Sequence, residues 1–137
     1  MKSLRVLFLA LATIIATAAS AQTVYNSSGS NCGKINNDGT VFNKSGSYIG
    51  KFNSDGVVFD KGGSSIGKVD RDGYFWSKSG SKIGWVDEDG VVFNGSGSRI
   101  GRVDSNGTVF NGSGSSIGRV QGVPRQWVAA YFFFFFD

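Results

Sequence analysis

A 17-residue period runs through this chain with few interruptions, and it leaves few folds open. Aligned on Gly39, Gly56, Gly73, Gly90 and Gly107, the copies read GTVFNKSGSYIGKFNSD, GVVFDKGGSSIGKVDRD, GYFWSKSGSKIGWVDED, GVVFNGSGSRIGRVDSN and GTVFNGSGSSIGRVQGV. Residues 22–38, QTVYNSSGSNCGKINND, form a degenerate first copy with Gln22 in the glycine place. Six copies thus occupy 22–38, 39–55, 56–72, 73–89, 90–106 and 107–123 without insertion. A period this short implies one supersecondary unit per copy, stacked on its neighbours to bury a shared core.

Each copy uses the same turn grammar twice. Asn43-Lys44-Ser45-Gly46 and Asp70-Arg71-Asp72-Gly73 both read Asn or Asp, any residue, a small polar residue, then Gly. The first side chain can accept from backbone amides, and the glycine can take the left-handed conformation that closes a three-residue hairpin loop. Between the turns lie short β-type runs such as Val57-Val58-Phe59 and Ser65-Ile66-Gly67-Lys68-Val69. No 3.6-residue periodicity survives this density of glycine, so the repeats predict a β-meander with two strands per copy. The glycine inside each IG[KR]V segment (Gly33, Gly50, Gly67, Gly84, Gly101 and Gly118) sits where glycine weakens a strand. Two explanations stay open. A bulge at Gly67-Lys68 would bring Ile66 and Val69 to one face, or the Phe59 ring of the adjoining strand covers the bare backbone. Phe42, Ile49 and Phe52 read as core.

Continuous IGxVxxxGxVF hairpins start at Gly33, Gly50, Gly67, Gly84 and Gly101, and the pattern breaks at Gly122-Val123-Pro124. Five equivalent hairpins of this kind suggest a closed radial structure with no open sheet edge. The leader, the VF[ND]xSGSxIGKVDxDG units and the AAYFFFF-like tail together resemble the five-fold beta-flower proteins, small exported proteins typical of Gram-negative Bacteroidota. The resemblance covers essentially all of the chain after the leader. It implies one all-β domain of radially repeated β-hairpins, periplasmic or at the cell surface, and it implies no activity and no catalytic residue.

The first 21 residues read as a secretory signal peptide: Lys2 and Arg5, an apolar run from Val6 to Ala18, then Ala19-Ser20-Ala21 before Gln22. That leaves 22–137 as a single β-repeat domain, with 124–137 as its C-terminal segment. Of the 14 Lys and Arg, two lie in the leader, leaving 12 against 10 Asp and Glu. So slight an excess of positive charge gives nucleic-acid binding little support. A lone Cys32 has no intramolecular partner and reads as a small core residue or a site of intermolecular pairing. The tail WVAAYFFFFF is too short for a membrane-spanning helix, which argues against an integral membrane protein. It reads as a buried closing strand or plug across the axis of the repeat, with docking to a membrane or another chain as the alternative.

Candidate chemistry is sparse. The chain has no His, and no cofactor or metal site is indicated. The acidic turns at Asp70, Asp72, Asp87 and Asp89 lack the further ligands of a calcium loop and read as hairpin turns. They also leave a carboxylate-based hydrolase only as a remote alternative. The position after the internal glycine is basic in five copies, at Lys34, Lys51, Lys68, Arg102 and Arg119. Radial repetition would set these as a ring able to attract an anionic envelope component or an acidic glycan. The fourth copy replaces that basic residue with Trp85 and also carries Tyr74 and Trp76. A half-exposed Trp beside a Tyr is the kind of platform on which sugars or proteins stack. The reading is therefore a non-enzymatic binding or structural module for a glycan, envelope component or protein. The alternative is an envelope-associated assembly subunit that uses the Phe-rich C-terminus.

Overall fold

The computed structural model describes residues 21–136; the signal-peptide reading of 1–21 falls almost wholly outside them. Twelve strands follow one another in chain order. They are β1 (Ala21–Asn26), β2 (Asn31–Asn36), β3 (Thr40–Asn43), β4 (Tyr48–Phe52), β5 (Val57–Asp60), β6 (Ser65–Val69), β7 (Tyr74–Ser77), β8 (Lys82–Val86), β9 (Val91–Asn94), β10 (Arg99–Val103), β11 (Thr108–Asn111) and β12 (Ser116–Arg119). Each pairs antiparallel with the next, and β12 pairs with β1, so the sheet closes into a barrel. The expected two strands per copy are all present. Five IGxVxxxGxVF hairpins are continuous in the chain, and the sixth is assembled from its two ends, with Tyr25 opposite Arg119.

The turns form as their composition dictates. In the loop from Asn43, the Asn43 Oδ1 accepts the amides of Ser45 and Ser47, both at 3.0 Å. Gly46 then takes φ +85°, where a side chain would be strained. At the opposite end of the barrel, Asp70 Oδ1 accepts from the amides of Asp72 and Tyr74 in the same way. The two ends are therefore a Ser-Gly-Ser rim and an Asp-Gly rim.

Register sets the barrel's shape. Lys34 lies opposite Phe42, whereas Lys51 lies opposite Thr40 two residues away on the same strand. Repeated in every copy, that stagger tilts the strands by roughly 35° to the axis and keeps equivalent positions at one height. Register also slips once per copy: Phe59 faces Ser65 and Val58 faces Gly67, so Ile66 is the extra residue. The bulge is thus real but falls at Ile66, not at Gly67-Lys68. As a result Ile66 packs against the core together with the inward-facing Gly67 and Val69.

The tail explains the glycines. After Pro124 the chain turns into helix α1 (Arg125–Ala130) and then a π-helical segment (Tyr131–Phe135). The tail is therefore a helical plug and not a strand. Arg125 Nη1 donates to Glu88 O at 2.7 Å, which ties the helix entrance to the Asp-Gly rim. Val128, Ala129 and Ala130 are fully buried inside the barrel. Beyond them each aromatic side chain meets one strand glycine. A Cβ at Gly118, Gly101, Gly84, Gly67 or Gly50 would overlap the ring of Phe132, Phe133, Phe134, Phe135 or Phe136, respectively. A Cβ at Gly33 would crowd the Tyr131 hydroxyl. The ring over Gly67 is thus Phe135 from the tail, not Phe59 from the next strand.

One step along the helix moves one copy around the barrel. Six copies call for about 60° per residue, whereas an α-helix turns about 100°; the wider winding of a π-helix moves the step toward that value. The helix lacks the barrel's symmetry, and two copies compensate with larger inward side chains. Phe52 stacks on Trp127 with centroids 5.4 Å apart, and Phe75 packs 4.6 Å from Phe134. Phe42 is the opposite case: Val41 points inward and is fully buried, which turns Phe42 to the outer wall and out of the core.

Two outcomes follow from the plug. Gly84→Ala should lower stability by about 1–3 kcal/mol in denaturant unfolding, because the methyl overpacks against Phe134 and a backbone carbonyl. Combining it with Phe134→Leu should recover part of that loss, showing non-additivity in the cycle. Removing residues 125–137 takes away the filling of the barrel, so the truncated chain should lose its cooperative unfolding transition in circular dichroism.

Candidate functional site

Outward-facing residues form slanted rows across neighbouring strands. In one row Thr40, Lys51, Phe59 and Ser65 stand side by side as register partners. Every copy repeats the scheme, which places each basic residue beside an aromatic ring on the adjoining strand. Arg102 lies 4.9 Å over the Phe110 ring and Arg119 lies 5.7 Å over Tyr25. Lys34, Lys51, Lys68, Arg102 and Arg119 therefore circle the outer waist. They are spread by the repeat, and only Lys68 comes beside the three aromatic candidates of the fourth copy.

Those three do come together. The fourth row reads Tyr74, Trp85, Phe93, Arg99 on β7 to β10. Trp85 stacks on Phe93 with centroids 5.1 Å apart and planes at 22°. Tyr74 stands 6.4 Å from Trp85 on its other side and 6.4 Å from Trp76. Tyr74 is one of two large apolar side chains classed as exposed among the described residues, at 36%. The row before it reads Val57, Lys68, Trp76, Lys82. Trp76 is held upright by its indole N–H, which donates to Asp70 Oδ2 at 3.1 Å. It stands on the outer wall, where the other copies carry Phe or Tyr, and does not enlarge the core.

Lys82 completes the cluster. Its ammonium lies 4.9 Å from the Tyr74 ring centre and 5.2 Å from that of Trp85, over both rings at once. Beside Trp76, an open groove of about 450 Å³ runs between Lys68, Lys78 and Asp70. Phe93, Lys82 and Arg99 were not singled out by sequence reasoning, because they join the group only through cross-strand register, which for Lys82 and Arg99 includes the bulge at the Ile position. Laying the copies on a two-residue stagger would have found them.

The acidic turns have a structural occupation. Asp87 Oδ1 accepts the amides of Asp89 and Val91, matching Asp70 in the preceding copy. Cys32 takes the place of the bulged isoleucine and is half-buried inside the barrel. Burial pushes its thiol above the ordinary value, and a hydrogen bond with Tyr131 partly opposes the rise. The hydroxyl-bearing ring of the plug thus falls in the copy that carries the thiol.

The family model described as 5-fold beta-flower protein matches residues 21–136, the whole closed barrel with its plug. The chain belongs to the 5-fold beta-flower protein family. No curated protein and no solved structure matches it at a significant level. Within this beta-flower the fourth copy differs most on the outer wall, since it alone places an aromatic residue at the basic position.

The thiol gives a pH-dependent outcome. Its raised value favours the neutral form in the fold, so that contribution is present below the unfolded thiol's value and lost as pH rises through the folded one. Thermal stability of the beta-flower should fall more steeply above about pH 9 than that of Cys32→Ala, and alkylation at pH 8 should be slow until the chain unfolds.

Proposed function

We propose that this beta-flower protein is an exported, non-catalytic carbohydrate-binding module whose ligand face is the outer wall of its fourth copy. Trp85 carries the reading. A repeat that needs only a solvated side chain at this position has one ring there, stacked on Phe93 and facing Tyr74. Aromatic rings set at strand spacing offer apolar faces to the C–H faces of sugars, and the polar edges of Trp85 and Tyr74 can hydrogen-bond to them. The barrel behind them is closed and plugged, which holds the rings in place before binding and limits the ordering that binding requires.

Export is supported by the leader sequence, and the family match begins at Ala21, where that leader ends. A place in a membrane is disfavoured by strands of four to six residues, against the 9–11 that a membrane-spanning strand needs, and by the basic waist. The assembly-subunit alternative rested on a free Phe-rich tail. Its rings pack against the strand glycines, which leaves the aromatic wall as the better surface for a partner.

Glycan-array screening followed by isothermal titration should find a polysaccharide ligand whose affinity drops about tenfold or more in Trp85→Ala, with thermal stability nearly unchanged. Equal binding by the wild type and Trp85→Ala would overturn the proposal.

A further inference from the structure

We infer that the fourth-copy wall selects acidic glycans, with Lys82 and Lys68 reading the carboxylate or sulfate groups. The inference rests on the carbohydrate-binding reading and goes further in naming the ligand class. The aromatic strip has cations on both sides: Arg99 ends the Tyr74–Trp85–Phe93 row, while Lys68 and Lys82 flank Trp76 in the row beside it. Lys78 lines the same groove as Lys68.

None of these four cations has a carboxylate partner. Among the described residues one ion pair forms, between Arg102 and Asp104 at 3.2 Å, in the neighbouring row and involving none of the four. Asp70, the one acid lining the groove, is held in place by the Trp76 indole and by two turn amides and keeps its charge. Four cations around one carboxylate leave a net positive wall, and the site gains when an anion arrives. Lys82 is placed to respond. Its ammonium lies over Tyr74 and Trp85, a contact that is weak at an exposed site. A sugar seated on the Trp85 ring takes that face, and a charge-assisted hydrogen bond to the sugar's carboxylate is stronger than the contact given up. A neutral sugar displaces Lys82 and returns nothing to it.

The test compares one polymer backbone with its charge present and masked: polygalacturonate against its methyl-esterified form, by titration calorimetry on the full chain. Wild type should bind the acidic polymer at least about tenfold more tightly, and that preference should shrink as NaCl is raised. Lys82→Gln and Lys68→Gln should each weaken acidic-polymer binding several-fold to about tenfold, leaving weak binding to the ester unchanged. Trp85→Ala should weaken both. Equal affinity for the two polymers, or lysine variants that bind like wild type, would overturn charge selection while leaving the aromatic wall as a sugar site. Binding of neither polymer, with array hits that depend on Trp85, would also overturn it in this form. Absence of any Trp85-dependent glycan would remove the underlying reading as well. Circular dichroism of each variant confirms that the exposed substitutions leave the barrel folded.

Discussion

An aromatic ring pressed against a bare strand backbone is the contact on which this barrel depends. Glycine in mid-strand normally weakens a sheet, since it adds backbone entropy and packs nothing. Six such weak points become a ring of shallow seats, and the tail supplies one ring to each. A twelve-stranded barrel of four- to six-residue strands has too wide an interior for its own valines to fill. The same glycines that make room for the plug therefore make the barrel require it. Filling to interior density then follows from the rings and from Val128, Ala129 and Ala130 behind them.

With the inside committed to this packing, variation is left to the outer wall. Outward positions pair a basic residue with a ring in copy after copy, which gives the waist a uniform finish. The fourth copy keeps every inward requirement except Phe75, which packs against Phe134, and changes its outer face. Rigid backbone and altered surface are what a binding site on a repeat protein needs. The array supplies position, and one copy supplies chemistry.

The sequence made the repeat, both turn types and the strand count readable, because each rests on local chemistry: an Asn or Asp side chain, a left-handed glycine, an alternating run. Closure was also readable from the equivalence of the copies. What could not be read was anything that depends on long-range register. The bulge falls one residue earlier than the spacing of Ile66 and Val69 suggested, and Phe42 faces outward because Val41 beside it takes the inward place. The phenylalanine run gave no sign of helix, since its conformation is dictated by the seats around it and not by its own propensity. Of the wall, Trp85, Tyr74 and Trp76 were legible as departures from the consensus. Lys82, Phe93 and Arg99 look ordinary in their own copies and join the group only across strands.

The pairing of one ring with one seat ties together two features that are written separately in the chain. The number of tandem copies is set between residues 22 and 123, and the run of aromatics is set at 131–136. Tandem repeats and single-residue runs both lengthen and shorten readily by copying slippage, each on its own account. Here neither can drift alone: a seventh copy would leave a seat without a ring, and a lost phenylalanine would leave one of the six seats unfilled. The tail works as a tally of the array, so the size of this barrel is inherited as a matched pair of counts.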